Sequence, residues 1–248
     1  MRTRRGWTTA GAALSAMLSV TLTRHPVSTL TPAPAAPALR RSPKQMPPER
    51  KLLDMLREAE ESGHVAYTRH LCETILEDNP DHGPTLIRYA CALIEFALYD
   101  EAGAVLDQAE AVIPAERRHL VLAQRGHQLE RMGDYSGSEE FHLKAHELDP
   151  DDATYLIYAG SVASRRGDIA RAETLARKAI SCSKGCIDEA YFNLGGCLLA
   201  QKRYEEARDC YLRAIEIDPD YSIAKKRLAD VERVIKNQGE QVVPPNGP

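Results

Sequence analysis

Paired cysteines and histidines are the side chains in this sequence whose spacing could support covalent or metal chemistry. Cys182 and Cys186 flank a Ser-Lys-Gly segment that bends easily, which predicts a loop. A disulfide between the two thiols would suit an exported protein. A zinc site needs four ligands at recognisable spacing, and this loop offers one pair. We therefore favour a loop without special chemistry over a disulfide, and a disulfide over a metal site.

His142 and His146 are four residues apart, a spacing that could place both imidazoles on one metal ion. The sequence around them lacks the H-E-x-x-H arrangement of metallohydrolases, and no third ligand is evident. His142 also falls on a predicted apolar helix face. We therefore interpret it as an interhelical histidine whose hydrogen bonds are satisfied, and we predict neither a metal ion nor a cofactor.

Catalytic motifs are missing from the sequence: it contains no P-loop, no G-x-G-x-x-G and no G-x-S-x-G. Acidic stretches such as Glu139-Glu140 are predicted to be ordinary helix surface. Cys72 lies on an apolar face and is interpreted as a small buried hydrophobe, and Cys197 and Cys210 are interpreted in the same way. The chain is therefore predicted not to be an enzyme.

The elements that would position these side chains are clearest in residues 188–221. Apolar and small residues recur there at i, i+3, i+4 and i+7, which predicts two amphipathic helices joined by a turn at Lys202-Arg203. Pro219 ends the second helix, because proline cannot continue it. The residues of this pattern are Tyr191, Leu194, Gly195, Leu198, Ala207, Tyr211 and Ala214.

With Pro219, these eight positions resemble the signature of the tetratricopeptide repeat family, W-L-G-Y followed by A-F-A-P. The register extends backwards through 153–187, 119–152, 83–118 and 49–82. The resemblance implies an all-α fold, a right-handed α-solenoid of five helix-turn-helix units. An apolar stripe in 222–239 predicts a C-terminal capping helix that stops at Gly239, followed by a disordered tail over 240–248.

The first 48 residues differ in composition from this body. Residues 1–24 combine Arg2, Arg4 and Arg5 with a mildly apolar run, which predicts a targeting segment. Residues 25–48 are rich in Pro and Ala and predict a disordered linker. We expect an exported, periplasmic or membrane-tethered protein. Import into mitochondria or plastids is the alternative, and plain disorder or a misassigned start codon remains open.

Charge is unevenly distributed along the chain. Seven of the 32 Lys and Arg residues lie in 1–48, where there is no Asp or Glu, so residues 49–248 hold 25 basic against 36 acidic residues, a net charge of −11. An acidic body argues against nucleic-acid binding, which requires cations that neutralise phosphates. No stretch of the repeat body approaches the length of a membrane span.

The family resemblance implies that the first helix of each repeat lines a concave groove. It places groove residues at the second, fifth, ninth, twelfth and thirteenth positions of a repeat, where apolar side chains and scattered charges suit an extended peptide or an amphipathic helix of another protein. Arg57 and Arg88 are the nearest approach to the carboxylate clamp of certain family members, but the remaining clamp positions do not match. The predicted groove comprises Leu53, Arg57, Ile87, Arg88, Cys91, Ile94, Glu95, His127, Glu130, Arg131, Ile157, Ser161, Arg165, Phe192, Gly196 and Leu199.

These observations favour a non-catalytic scaffold that binds a partner peptide or helix in the groove. The alternative is a regulatory or substrate-recruiting subunit of an enzyme complex whose catalytic residues lie on another chain. A small redox or metal-binding protein that uses Cys182 and Cys186 is the third hypothesis.

Overall fold

The computed structural model describes residues 49–241, so the predicted targeting segment and linker, and residues 242–248 of the predicted tail, lie outside the described residues. Two compact units share the chain, divided between Pro80 and Asp81. The first contains helices α1 (Glu49–Glu61) and α2 (Val65–Asp78). These pack against each other, with Leu52, Leu56, Leu71, Cys72 and Ile75 buried.

The second unit contains four further helix pairs, a short 3-10 helix at Ala115–Arg117 and a long last helix. Within residues 49–241 there is no β-strand, and the one isolated bridge joins Asp152 to Lys184. The helices are α3 (Gly83–Glu95), α4 (Tyr99–Val112), α5 (Arg118–Met132), α6 (Tyr135–Leu148), α7 (Thr154–Arg165), α8 (Ile169–Ala179), α9 (Ile187–Ala200), α10 (Tyr204–Ile217) and α11 (Ser222–Gln241).

A tight turn with one residue in the left-handed region joins the two helices of each pair. In the third and fourth pairs this residue is a glycine, Gly133 or Gly167, with φ of 88° and 85°. The aspartate that follows it, Asp134 or Asp168, caps the next helix by accepting a hydrogen bond from a backbone N–H. The Gly-Asp sequence thus ends one helix and begins the next, which makes the hairpin a local property of the sequence.

Small residues let the helices of a pair approach closely, and larger apolar side chains fill the space between them. Leu156, Ala159 and Ala163 of α7 pack with Ala172 and Leu175 of α8 in one buried cluster. The cluster extends to Ala190 and Cys197 of α9, because α7 and α8 both contact α9. The core therefore continues from the fourth pair into the fifth, as stacking of helix pairs requires.

The last helix, α11, covers the end of this core. Val231 and Ala224 are fully buried against a cluster that contains Leu198, Ala207 and Tyr211. The predicted apolar stripe of the capping helix therefore faces the last repeat. The predicted stop at Gly239 is wrong, since the helix continues to Gln241. A difference of two residues is within the usual fraying of helix ends.

Candidate functional site

The first helices of the pairs in the second unit, α3, α5, α7 and α9, form the predicted partner-binding surface. α3 lies beside α5, and α7 lies beside α9. Contacts of Glu130 with Arg165 and of His127 with Tyr158 join α5 to α7. The predicted groove residues fall in rows along these helices, because each row takes the same position in successive repeats.

The row at the fifth position is buried. Ile87, Ile157 and Phe192 are 4%, 3% and 8% exposed, and Ala123, which occupies the same position in α5, is 6% exposed. Phe192 packs against the rings of Tyr211 and Tyr221. These side chains fill the interior between helices, so the expectation that they serve as apolar anchors for a partner needs correction.

The rows at the ninth and thirteenth positions reach the solvent. In the ninth row, Cys91 and Gly196 are exposed and His127 and Ser161 are half-buried. The thirteenth row contains Glu95, Arg131 and Arg165, which are all exposed. The accessible parts of these two rows are therefore largely polar, and small side chains in the ninth row leave room above the backbone. A Cβ added to Gly196 would meet no atom within 4 Å.

Ion pairs order the charged row. Arg131 of α5 lies 3.4 Å from Glu95 of α3, and Arg165 of α7 lies 2.8 Å from Glu130 of α5. Each arginine thus reaches back to a carboxylate of the preceding repeat. The Arg131–Glu95 pair is exposed and contributes little to stability, whereas the Glu130 side chain paired with Arg165 is only 9% exposed.

The other predicted groove residues divide in the same way. Ile94 is 3% exposed and belongs to the core, whereas Leu199 and Arg88 are half-buried. In the first unit, Leu53 is half-buried and Arg57 is exposed, with its guanidinium 2.7 Å from Asp54.

Glu189, in the first turn of α9, adds a carboxylate that the sequence interpretation did not name. Its side chain is half-buried, and burial, followed by the nearby charge of Asp188, raises its pKa. No cation of the described chain lies within ion-pair distance of it. A desolvated carboxylate of this kind favours a cationic ligand.

A second group of side chains meets between α5, α6 and α7. His127 and Glu130 are three residues apart on α5 and share one face, with 3.7 Å between Nδ1 and the carboxylate. His142 of α6 is fully buried, and its ring centroid lies 4.9 Å from that of His127. The ring of Tyr158 from α7 packs against both imidazoles. Neither ring nitrogen of His142 has a hydrogen-bond partner in the described chain.

The sequence interpretation paired His142 with His146 and missed this group. His142 is buried between helices as expected but, contrary to the prediction, its ring nitrogens are not satisfied by any described residue, and the three donors that come together are those of His127, Glu130 and His142. Burial, with a smaller effect of His127, lowers the pKa of His142 well below its usual range. The missed signal was the H-x-x-E spacing on α5 opposite a histidine in a core position of α6.

Two further predictions of side-chain roles can be compared with the structure. Glu139 is not ordinary helix surface: it is 7% exposed, and Arg166 and Arg171 lie 3.0 and 2.9 Å from its carboxylate. Cys182 and Cys186 lie in the loop between α8 and α9 and are half-buried, with no disulfide between them in the structure. A disulfide between them stays a prediction.

Comparison with known proteins identifies the kind of helix pair. Residues 188–221 match the family model of the tetratricopeptide repeat. The human tetratricopeptide repeat protein 7A is 31% identical over 118 residues, which are 48% of this chain and 13% of that protein. The small glutamine-rich tetratricopeptide repeat-containing protein 2 of Mycosarcoma maydis is 32% identical over 96 residues, 39% of this chain and 27% of its own length. The chain thus spans about a quarter or less of these relatives.

Solved structures agree with the fold. The tetratricopeptide repeat protein TTC0263 of Thermus thermophilus superposes with a TM-score of 0.62 at 18% identity, covering 74% of this chain and 98% of that one. A tetratricopeptide repeat protein of Parabacteroides merdae gives a TM-score of 0.62 at 20% identity and covers 74% and 71% of the two chains. At these identities the likeness concerns the fold.

The stacked helix pairs define a helical-repeat protein, and the predicted all-α solenoid is confirmed. The matched model shows that residues 188–221 are a tetratricopeptide repeat, and the chain is similar to proteins that contain this repeat. Repeats of this family generally mediate protein–protein interactions and are typically non-catalytic. The helices between residues 49 and 241 include none with the length and apolar character needed to cross a membrane.

Proposed function

We propose that this protein is a non-catalytic scaffold that binds an extended segment of a partner protein along α3, α5, α7 and α9. The observation that carries the proposal is the pair of accessible rows on these helices: small or polar side chains at the ninth position beside charged ones at the thirteenth. A shallow polar track of this kind offers hydrogen bonds and room for a backbone.

The burial of the fifth row favours an extended segment over an amphipathic helix. A helix docks by inserting apolar side chains between apolar anchors, and the anchors that the sequence suggested are interior residues. Leu199 is a predicted apolar groove residue that retains accessible surface. An extended segment can instead bind through its own backbone groups and through alternate side chains.

The charges of the surface indicate the character of the partner. Glu189 is a partly desolvated carboxylate without an ion-pair partner in the described chain, so a Lys or Arg of the bound segment would gain from contact with it. Arg131 and Arg165 are exposed, and each is paired with one carboxylate. We therefore expect a segment with a basic residue near α9.

The test begins with a crosslinking pull-down from native extract with the full chain as bait. Overlapping peptides of the captured partner are then measured for binding by fluorescence anisotropy. Gly196→Phe would fill the open space of the ninth row, and Glu189→Gln would remove the carboxylate. Thr174→Phe, at an exposed position of α8, is the matched control.

We expect Gly196→Phe and Glu189→Gln to weaken peptide binding at least tenfold, about 1.4 kcal/mol or more, and Thr174→Phe to leave it unchanged. Equal binding by all variants would move the interface away from the first helices and contradict the proposal. An increase in helical circular dichroism when the peptide binds would show that the bound segment is an amphipathic helix and not an extended one.

A further inference from the structure

The proposed peptide binding does not explain why His127, Glu130 and His142 lie together. One ligand atom from each residue lies within 4.8 Å of the others. α5 supplies two of the donors from one helix face and α6 supplies the third from the facing helix. Donors held by different elements in this way are typical of metal sites between packed helices.

We propose that His127, Glu130 and His142 bind a divalent transition-metal ion such as Zn²⁺ between α5 and α6. Two imidazoles and one carboxylate form a ligand set that suits zinc and its neighbours in the first row, and does not suit Mg²⁺ or Ca²⁺. Three protein ligands leave the fourth tetrahedral position to water.

The unpartnered nitrogens of His142 are the second, independent observation. The ring is 0% exposed, and neither Nδ1 nor Nε2 has a hydrogen-bond partner among the described residues. Buried polar atoms are normally satisfied, so each exception needs an explanation. A metal ion on one nitrogen would satisfy that atom and use the lone pair that an uncharged imidazole offers.

Packing alone explains the position of the ring but not its chemistry. The ring lies over Gly126, where an added Cβ would be 2.7 Å from Nε2. A phenyl ring would fill the same space without burying two polar atoms. The presence of imidazole rather than an apolar ring therefore favours a ligand role over a spacer role.

The three ligand atoms must move closer together to bind zinc, because they now lie up to 4.8 Å apart. Zinc bonds of about 2.0–2.1 Å in a tetrahedron hold ligand atoms about 3.4 Å apart. The His127 side chain is 25% exposed, so it can move toward the ring of His142 and marks the side from which an ion enters.

Arg165 orients the carboxylate. Its Nη1 lies 2.8 Å from one oxygen of Glu130, while the other oxygen faces Nδ1 of His127. Outer partners of this kind hold a metal-binding carboxylate in one direction. Arg165, on α7, is thus a positioning residue for the site.

Zinc binding to the full-length protein, stripped with a chelator, tests the proposal by calorimetry and by the visible absorption of bound Co²⁺. The variants are His127→Asn, Glu130→Gln and His142→Phe, and His70→Asn, an exposed histidine of α2, is the matched control. Thermal unfolding is measured for each protein with and without zinc, and Mg²⁺ serves as the control ion.

We expect one Zn²⁺ per chain, a Kd raised at least tenfold in the three ligand variants, and no change in His70→Asn. The thermal midpoint of the parent should rise with zinc concentration, because an ion that binds only the folded state stabilises it. His142→Phe should be at least as stable as the metal-free parent and should not respond to zinc.

Zinc binding by His142→Phe and His127→Asn with the affinity of the parent would place the ion on other side chains and overturn the proposal. Failure of the parent to bind zinc or cobalt would overturn it as well. If His142→Phe does not fold, His127→Asn decides the question, since the His127 side chain is 25% exposed and its replacement leaves the fully buried ring of His142 in place. None of these outcomes depends on peptide binding.

Discussion

The aromatic ring of Tyr211 occupies the space that a side chain at Gly195 would need. A Cβ built on Gly195 would lie 2.7 Å from Cε1 of the ring, closer than carbon atoms approach in proteins. Gly126 and His142 repeat the relationship in the third helix pair, again with a closest distance of 2.7 Å. A glycine of the first helix and a ring of the second thus form one packing unit, in which a side chain added at the glycine would displace the ring.

Adjacent glycines in α9 offer a direct test of this packing. Gly195→Ala should destabilise the protein by roughly 1–3 kcal/mol, because the added methyl forces the Tyr211 ring or the helix to shift. Gly196→Ala should instead stabilise it by about 0.5–1 kcal/mol, because its Cβ meets nothing within 4 Å and alanine favours the helix. Urea unfolding of both variants measures the two effects.

Effects of the same sign and size in the two variants would contradict the assigned packing. Gly195→Leu would enlarge the penalty, since leucine cannot fit beside the intact ring. In a Tyr211→Leu background, Gly195→Ala should cost less than it does in the parent. A smaller cost there would show that the penalty arises from this contact.

Strain in two of the hairpin turns leads to the second prediction. Ala97 and Lys202 adopt φ of 59° and 62°, where Gly133 and Gly167 stand in the corresponding turns. A residue with a Cβ is destabilised by about 1–2 kcal/mol in the left-handed region. Replacement by glycine removes this strain, but part of the gain is lost because glycine has greater entropy in the unfolded chain. We expect Ala97→Gly and Lys202→Gly each to raise the free energy of unfolding by about 0.5–1 kcal/mol.

Gly133→Ala is the reciprocal control for the turns. No atom lies within 4 Å of the position that the added methyl would take, so a loss of about 1 kcal/mol would come from the backbone alone. Thermal and urea unfolding should rank Ala97→Gly above the parent and Gly133→Ala below it. The reverse order would show that φ does not limit stability in these turns.

Local patterns explain how far the sequence predicts this fold. The helix pairs follow from the apolar period, and the Gly133-Asp134 and Gly167-Asp168 turns contain both the left-handed residue and the cap. The turn at Ala97 has neither signal, and its position follows only from its neighbours. The apolar stripe of α11 is equally local, so its burial against the Tyr211 cluster was predictable.

Side-chain accessibility and long-range clusters were less predictable. Whether Ile157 faces a partner or the core depends on helices that pack on both sides of α7, and the sequence of α7 alone contains no information about them. Glu139 is a charged residue at a position that the apolar pattern does not mark. It is nevertheless buried, because Arg166 and Arg171 from the next repeat pair with its carboxylate. The meeting of His127 with His142 likewise depends on how α5 packs against α6.

Thiol reactivity should follow burial and decide whether Cys182 and Cys186 form a disulfide. None of the six cysteines forms a disulfide in the structure, and Cys91 is exposed. Burial raises the pKa of Cys197 and of Cys210 to about 11, and the thiolate is the reactive form. At mildly alkaline pH we expect Cys91 to be alkylated fastest, Cys182 and Cys186 at intermediate rates, and Cys72, Cys197 and Cys210 slowest.

Peptide mass spectrometry of samples quenched at increasing times gives these rates, and unfolded protein without reductant gives the total. Six thiols per chain are expected. A pair of thiols lost from that total, with Cys182 and Cys186 joined in one oxidised peptide, would instead establish the disulfide that the loop spacing suggests.

The final prediction concerns acid and the carboxylate of Glu173. Gln201, Arg177 and Arg203 all donate hydrogen bonds to it, at 2.6, 2.6 and 2.9 Å. The bond from Gln201, followed by those from Arg177 and Arg203, lowers the pKa of Glu173 to about 2 from an ordinary 4.5. The unfolded chain therefore takes up this proton first as the pH falls, so the stabilisation is present above pH 4.5 and is lost toward pH 2.

We expect Glu173→Gln to be less stable than the parent at neutral pH by about 1 kcal/mol, a value that allows for solvent screening of the arginines. The difference should shrink as the pH approaches about 3, because the unfolded parent then binds a proton at Glu173 while the folded parent still resists it, so folding gains less from the charge. Glu216→Gln, which removes an exposed partner of Arg213, should show little effect at either pH. Urea unfolding at both pH values measures the two differences. A constant gap for Glu173→Gln would mean that the charge on Glu173 does not stabilise the junction of α8 with the turn before α10.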